Sequence, residues 1–175
     1  AIQIVVVSTS RKPADDTSGV AIREWCEAAG HTVLGRTVVP DQVAAIDAEL
    51  ARFQGDGSTQ VVILTGGTGL SATDVTPEAL ARRVVRPIPG FGELFRMLSF
   101  QQVGAAAMLS RATAGLCRTF VAFALPGSPR ACELAVQSLI LPELAHLVRE
   151  VAKEGGLTTL PETGPTPPPA RSAQA

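Results

Sequence analysis

"VVILTGGTGLSATDVTPEAL" (residues 61–80) decides how this chain folds. A β-branched run ends at Leu64, and Gly66, Gly67 and Gly69 follow within four positions. A continuous apolar run, rather than an alternating one, marks a strand covered on both faces. Pro77 suits the first turn of a helix and pushes its predecessor out of the α region. A helix is therefore expected over 76–83, with Thr76 as its N-cap. Strand, glycine-rich loop and helix in that order form the repeating unit of a parallel α/β sheet.

The same alternation extends in both directions. Upstream, 2–8 is a second continuous β-branched strand, 17–29 a helix stopped by Gly30, 32–39 a strand and 41–53 a helix. "GDGS" at 55–58 is the loop before the strand at 60–64. Downstream, 92–102 reads as a helix behind "PIPG", 105–109 fits helix or strand, and 119–125 is a strand. "PGSP" leads into a helix from Pro129. Ile140, Leu144, Leu147, Val148 and Val151 then mark one face of a closing helix. The expectation is an α/β domain over 1–156 with a mostly parallel central sheet. A proline-rich tail over 157–175 lacks the apolar residues to fold independently and is expected to be flexible or extended.

Composition narrows the function classes. Of 175 residues, 46% are hydrophobic and 18% charged, and the net charge is −1. The basic residues are scattered, which argues against nucleic-acid and membrane-surface partners. The apolar surplus points to burial between subunits. Cys26, Cys117 and Cys132 are odd in number and lack any CxxC spacing, the pattern of reduced, buried thiols in a cytoplasmic protein. His31 and His146 share no metal-ligand spacing, and "IQIVVV" is too short to span a bilayer.

Ligands of open parallel sheets bind beyond the carboxyl ends of the strands. Here those ends lead into loops 9–18, 40–41, 65–76 and 126–128, each running into a helix N-terminus that favours an anion. Gly66, Gly67 and Gly69 bare the backbone, so that successive N–H groups can cradle a phosphate. Asp74 is surplus to helix capping if Thr76 is the cap, and a surplus carboxylate beside a phosphate cradle suits magnesium. Asp41 fits either a helix cap or the site. Asp15, Asp16, Thr17 and Ser18 form a cap cluster or a polar loop, and Ser128 before Pro129 is a cap on the same edge. Ser110 and Arg111 offer a hydroxyl and a cation to a phosphate, or a plain surface charge. Residues 67–72 also match GxGxxA, the dinucleotide fingerprint, but on the third strand and without the acidic ribose partner. No Lys-Ser/Thr follows the glycines, so a Walker A loop is absent.

Four segments in order carry a family resemblance: "TGGTGLSATDVTPEA" (65–79), "PGFGELFR" (89–96), "LSRATAG" (109–115) and "LPGSPRA" (125–131). Together they resemble the MoaB/Mog family of molybdenum-cofactor biosynthesis proteins, whose related domains include those of gephyrin. The resemblance covers the chain to about residue 153. It implies a three-layer α/β/α domain, assembled as a trimer or hexamer, that binds molybdopterin. It further implies adenylylation of the terminal phosphate of molybdopterin with magnesium and ATP, and work alongside other proteins of the pathway.

Residue by residue, Asp74 matches the family's essential aspartate, and Asp41 the acidic position before the second helix. Gly66, Gly67, Thr68 and Gly69 match the phosphate-contacting loop. Pro89, Gly90, Phe91, Gly92, Glu93, Ser110, Arg111, Pro126, Gly127 and Ser128 match the pterin side. The resemblance also places magnesium at Asp74 and Asp41. After the first strand, Thr17, Ser18 and Gly19 are retained, but Thr9 and Ser10 stand where an acidic residue is expected. That departure keeps a non-catalytic molybdopterin-binding carrier open as the alternative function. The related domain of the competence-damage protein, a nucleotide-processing hydrolase, fits less well, because its Gly-Asp/Glu-Glu-Leu loop is missing.

Overall fold

The computed structural model describes residues 1–9 and 15–153; Ser10 and the proline-rich segment from 157 onward lie outside that range. In chain order the elements are β1 (Ile2–Val7), α1 (Thr17–Ala28), β2 (Val33–Val39), α2 (Val43–Asp56), β3 (Val61–Thr65) and α3 (Thr76–Ala81). Then come β4 (Arg86–Pro87), α4 (Pro89–Val103), a 3₁₀ segment (Gly104–Leu109), β5 (Thr113–Leu116) and β6 (Val121–Leu125). The last are α5 (Pro129–Ala135), a π-helical turn (Val136–Ile140) and α6 (Leu141–Lys153).

The sheet order is β2-β1-β3-β6-β5-β4, with the first four strands mutually parallel and β5 and β4 added antiparallel. The continuous run in β1 is explained by two-sided burial. Ile2, Ile4 and Val6 pack with Ile22, Phe95 and Val136 on one face, and Val5 and Val7 with Ile46, Leu50 and Phe53 on the other. Helices α1, α4, α5 and α6 cover the first face, and α2 and α3 the second. The result is a three-layer α/β/α fold.

Two sequence expectations are corrected here, and one pair of strands went unread. The antiparallel pair β4 and β5 was not legible: β5 is "TAGL", without a β-branched run, and β4 is two residues with Pro87, tolerated only at an edge. The fourth helix begins at Pro89, inside "PIPG" rather than after it, since proline suits a first turn. Thr76 is not the N-cap of α3: Val75 holds that place without a side-chain bond, and the Thr76 hydroxyl donates instead to the Gly66 carbonyl at 2.8 Å.

Elsewhere the caps resolve cleanly. Of the polar cluster Asp15, Asp16, Thr17 and Ser18 at the start of α1, Asp16 is the cap: its Oδ1 accepts from the Gly19 N–H at 2.8 Å, and its Oδ2 pairs with Arg36 of β2. Ser128 caps α5 through the Ala131 N–H. The short apolar run at 105–109 falls in the 3₁₀ segment. The π turn precedes Pro142, which has no N–H to return to Ser138, so the wider turn absorbs the missing bond. Residues 129–150 are long and apolar enough to span a bilayer by length and composition alone; in this fold Cys132, Val136, Ile140 and Leu144 are buried in the core.

Candidate functional site

In the strand order, β1 is followed on one side by β2 and on the other by β3, so the chain reverses direction across the sheet between β1 and β3. A crevice forms at such a reversal, beyond the carboxyl ends of the strands. A cavity of about 390 Å³ opens there, lined by Val7, Ser8, Asp41, Gly66, Gly67, Thr68, Gly69, Asp74, Ser110, Pro126 and Gly127. Five separate stretches of chain thus meet at one place. Val7 and Ser8 were not anticipated; the available signal was that β1 ends beside β3.

The glycines are required for different reasons. Gly66 has φ +103, and a Cβ on it would collide with the Val7 carbonyl oxygen. Gly67 has φ +63, and its Cβ would lie 2.5 Å from Thr76 Oγ1 and 3.3 Å from Asp41 Oδ1. Gly69 needs no positive φ; a Cβ there would come within 2.8 Å of Asp74 Oδ2. The loop backbone therefore approaches both carboxylates as closely as a missing side chain permits.

Asp41 is not a helix cap. Gln42 holds the cap position of α2, while Asp41 Oδ2 accepts from the N–H and hydroxyl of Thr9 at 2.6 and 2.8 Å. The Asp41 N–H returns a bond to Thr9 Oγ1 at 3.2 Å. Thr9, where the acidic residue was expected, thus aims an aspartate from the next loop. Asp74 Oδ2 accepts from the Ser71 N–H at 3.0 Å. Among the described residues, Oδ1 of Asp41 and Oδ1 of Asp74 take no hydrogen bond, which leaves each carboxylate an open oxygen. The residues present fit magnesium, a hard cation that takes one or two carboxylates plus phosphate oxygens.

Several residues singled out in the sequence lie beside the cavity rather than on it. The buried Ser18 hydroxyl donates to the Gly127 carbonyl at 2.9 Å, and Thr65 to the Pro126 carbonyl at 3.0 Å, which fixes the β6–α5 loop. Gly19 is buried against Asp16, while Thr17 is exposed. Pro89, Gly90, Phe91, Gly92 and Glu93 form the first turn of α4. Phe91 packs edge-on to Phe123 at 5.1 Å, and a Cβ on Gly92 would lie 2.7 Å from the Ala112 carbonyl. An apolar groove of about 370 Å³ runs between α4 and α5, lined in part by Phe95, Val103, Ser128 and Leu134. It shares Ser110 and Pro126 with the cavity. The Arg111 guanidinium is not on the cavity wall: it bonds the Gly69 and Asp74 carbonyls and pairs with Glu78. Burial is the largest single influence on Glu78 and works to raise its pKa, but the bond from Arg111, a backbone hydrogen bond and the Arg111 charge together hold the carboxyl below its usual range.

A family model described as "Probable molybdopterin binding domain" matches residues 3–146. This chain belongs to that family. The molybdopterin-binding domain is similar to Molybdenum cofactor biosynthesis protein B of Bacillus subtilis (strain 168), at 41% identity over 87% of this chain and 90% of the relative. It is 43% identical to the protein of the same name from Escherichia coli (strain K12), over 82% of this chain and 84% of that one. A crystal structure of a Molybdenum cofactor biosynthesis protein B superposes with a TM-score of 0.84 at 39% identity, covering 87% of this chain and 95% of that one. The MoaB/Mog resemblance in the sequence is borne out, and a role in molybdenum-cofactor biosynthesis follows.

Proposed function

We propose that this protein adenylylates molybdopterin: the terminal phosphate attacks the α-phosphorus of ATP and pyrophosphate leaves. One new P–O bond forms, and the bond from the α-phosphorus to the bridging oxygen breaks, with its electron pair going to pyrophosphate. The observation that carries this reading is the pair of aspartates with open oxygens, Asp41 and Asp74, facing one glycine-built cavity. Two polyanionic reactants need their charge offset and their reacting atoms aligned, and no protein nucleophile is required. Magnesium, held by Asp41 and Asp74, would supply that charge. The glycine loop admits a phosphate close to its backbone, and Ser110 stands between the cavity and the apolar groove, where a pterin ring has apolar walls.

A carrier that binds molybdopterin without modifying it is the second reading, favoured by Thr9 in place of an acidic residue. Anaerobic incubation with molybdopterin, magnesium and ATP separates the two. Adenylylated product that disappears in Asp74→Asn supports the transferase, while bound but unmodified molybdopterin supports the carrier.

The assembly reading belongs here as well. Leu94, Met97, Phe100 and Val103 lie three residues apart along α4 and are exposed, as are Met108 and Leu109 in the 3₁₀ segment that follows. Such a stripe is the kind of surface that a trimer or hexamer packed through α4 would cover; the same reading keeps the protein in the cytoplasm, beside other proteins of the pathway. Light scattering tests it, and a monomer at micromolar concentration would overturn it.

A further inference from the structure

Arg111 has a role that its sequence context does not suggest. Its Nε donates to the Gly69 carbonyl at 2.8 Å, its Nη2 to the Asp74 carbonyl at 2.6 Å, and its Nη1 pairs with Glu78 of α3. Its own N–H donates to the Thr68 carbonyl at 3.0 Å. The near end of the loop is closed by Thr76, through its hydroxyl to the Gly66 carbonyl and its N–H to the Gly67 carbonyl. The far half, where a Cβ on Gly69 would lie 2.8 Å from Asp74 Oδ2, is spanned by this one planar guanidinium.

We propose that Arg111 is a positioning residue that sets where the Asp74 carboxylate sits, rather than a cation that binds the phosphate of a ligand. The proposal rests on the functional reading above. Two points carry it. The side chain is absent from the cavity wall, and three of its nitrogens are already committed to two carbonyls and a carboxylate. A guanidinium bridges two carbonyls at fixed separation because its donors form a rigid fork. A lysine offers a single flexible ammonium and cannot hold both acceptors at once. A phosphate-binding cation would behave oppositely, since lysine keeps the charge and much of the affinity.

The test begins on ligand-free full-length protein, with amide exchange in Arg111→Lys. Ser71, whose N–H bonds the Asp74 carboxylate, and Thr76, whose N–H closes the loop, are expected to exchange about tenfold faster while amides of β1 and β3 are unchanged. Glu78→Gln, at an exposed position, is expected to give a smaller change of the same kind, about threefold. In the transfer assay, Arg111→Ala is expected to lose turnover and to regain it with added guanidinium but not ammonium. Unchanged exchange at Ser71 and Thr76, or equal rescue by ammonium, would overturn the proposal. If the parent protein yields no adenylylated product yet the exchange responds as stated, the functional reading fails and the positioning role stands.

Discussion

Thr76 closes the glycine loop onto its own beginning. Its hydroxyl meets the Gly66 carbonyl at 2.8 Å and its N–H the Gly67 carbonyl at 3.0 Å, where the strand ends and the helix starts. The side chain is fully buried. Thr76→Val keeps the shape and removes the donor, leaving a buried carbonyl without its partner. A loss of about 2 kcal/mol is expected in urea denaturation. Thr76→Ser, which retains the hydroxyl, should recover most of it.

Gly66 and Gly127 face each other and should respond unequally to alanine. At Gly66 the added Cβ meets the Val7 carbonyl on a backbone with φ +103. About 3 kcal/mol of destabilisation is expected, combining strain with a backbone clash. At Gly127 the Cβ would lie 3.4 Å from the Gly66 Cα, an ordinary contact, and the loss should stay below about 1 kcal/mol. Thermal melts of the two variants side by side decide this.

Thr9 should matter to chemistry more than to folding. Thr9→Val removes the hydroxyl that bonds Asp41 Oδ2 at 2.8 Å while leaving the backbone bond at 2.6 Å. Groups that orient a metal-binding carboxylate typically contribute about 10–100-fold to metal affinity or activity. Under the proposed transferase reading, the expected result is a rightward shift of about tenfold in the magnesium dependence of turnover. An unchanged magnesium titration would sever Thr9 from the site.

Asp47 and Arg83 join α2 to the segment after α3 through two bonds, at 2.6 and 2.7 Å. The Arg83 bond holds the Asp47 carboxyl below the ordinary aspartate range, against the opposing effect of burial. A carboxyl with a lowered folded pKa stabilises above its unfolded pKa, and that contribution disappears as the pH falls through the folded value. Both side chains are about a quarter exposed, so Asp47→Asn should lose no more than about 1 kcal/mol at pH 7. The gap between variant and parent should narrow below pH 4, as read from urea midpoints across pH.

The thiols should be silent in the native state. Burial pushes Cys117 up to about 12 and Cys26 to about 11, so neither is a thiolate near neutrality. A disulfide reagent at pH 8 is expected to spare both until denaturant is added. Rapid native labelling of either would contradict the packing described.

Much of this molecule was legible in its sequence, for identifiable reasons. β1, β3 and β6 are covered on both faces, so burial wrote them as unbroken apolar runs. β5 is different: Gly115 is needed because a Cβ would press on Val84 at 2.6 Å, and close packing erased the usual β-branched signature. The glycine loop and its two aspartates stood out because no local capping rule accounts for all of them. What local rules misread was the direction of single bonds. Thr76 looks like a cap but reaches back to Gly66, and Arg111 looks like a ligand for phosphate but holds carbonyls 37 and 42 residues upstream. Long-range hydrogen bonds leave no periodic trace.

The cavity draws its walls from stretches of chain between Val7 and Gly127, brought together by four parallel strands and one antiparallel return. No contiguous fragment contains it. Ligand occupancy and global folding are therefore linked: a ligand that binds the folded domain at a hundred times its Kd should add about 2.7 kcal/mol to unfolding. In a cell, the abundance of this protein should then follow the supply of its ligand, because each empty copy is the more easily unfolded and degraded.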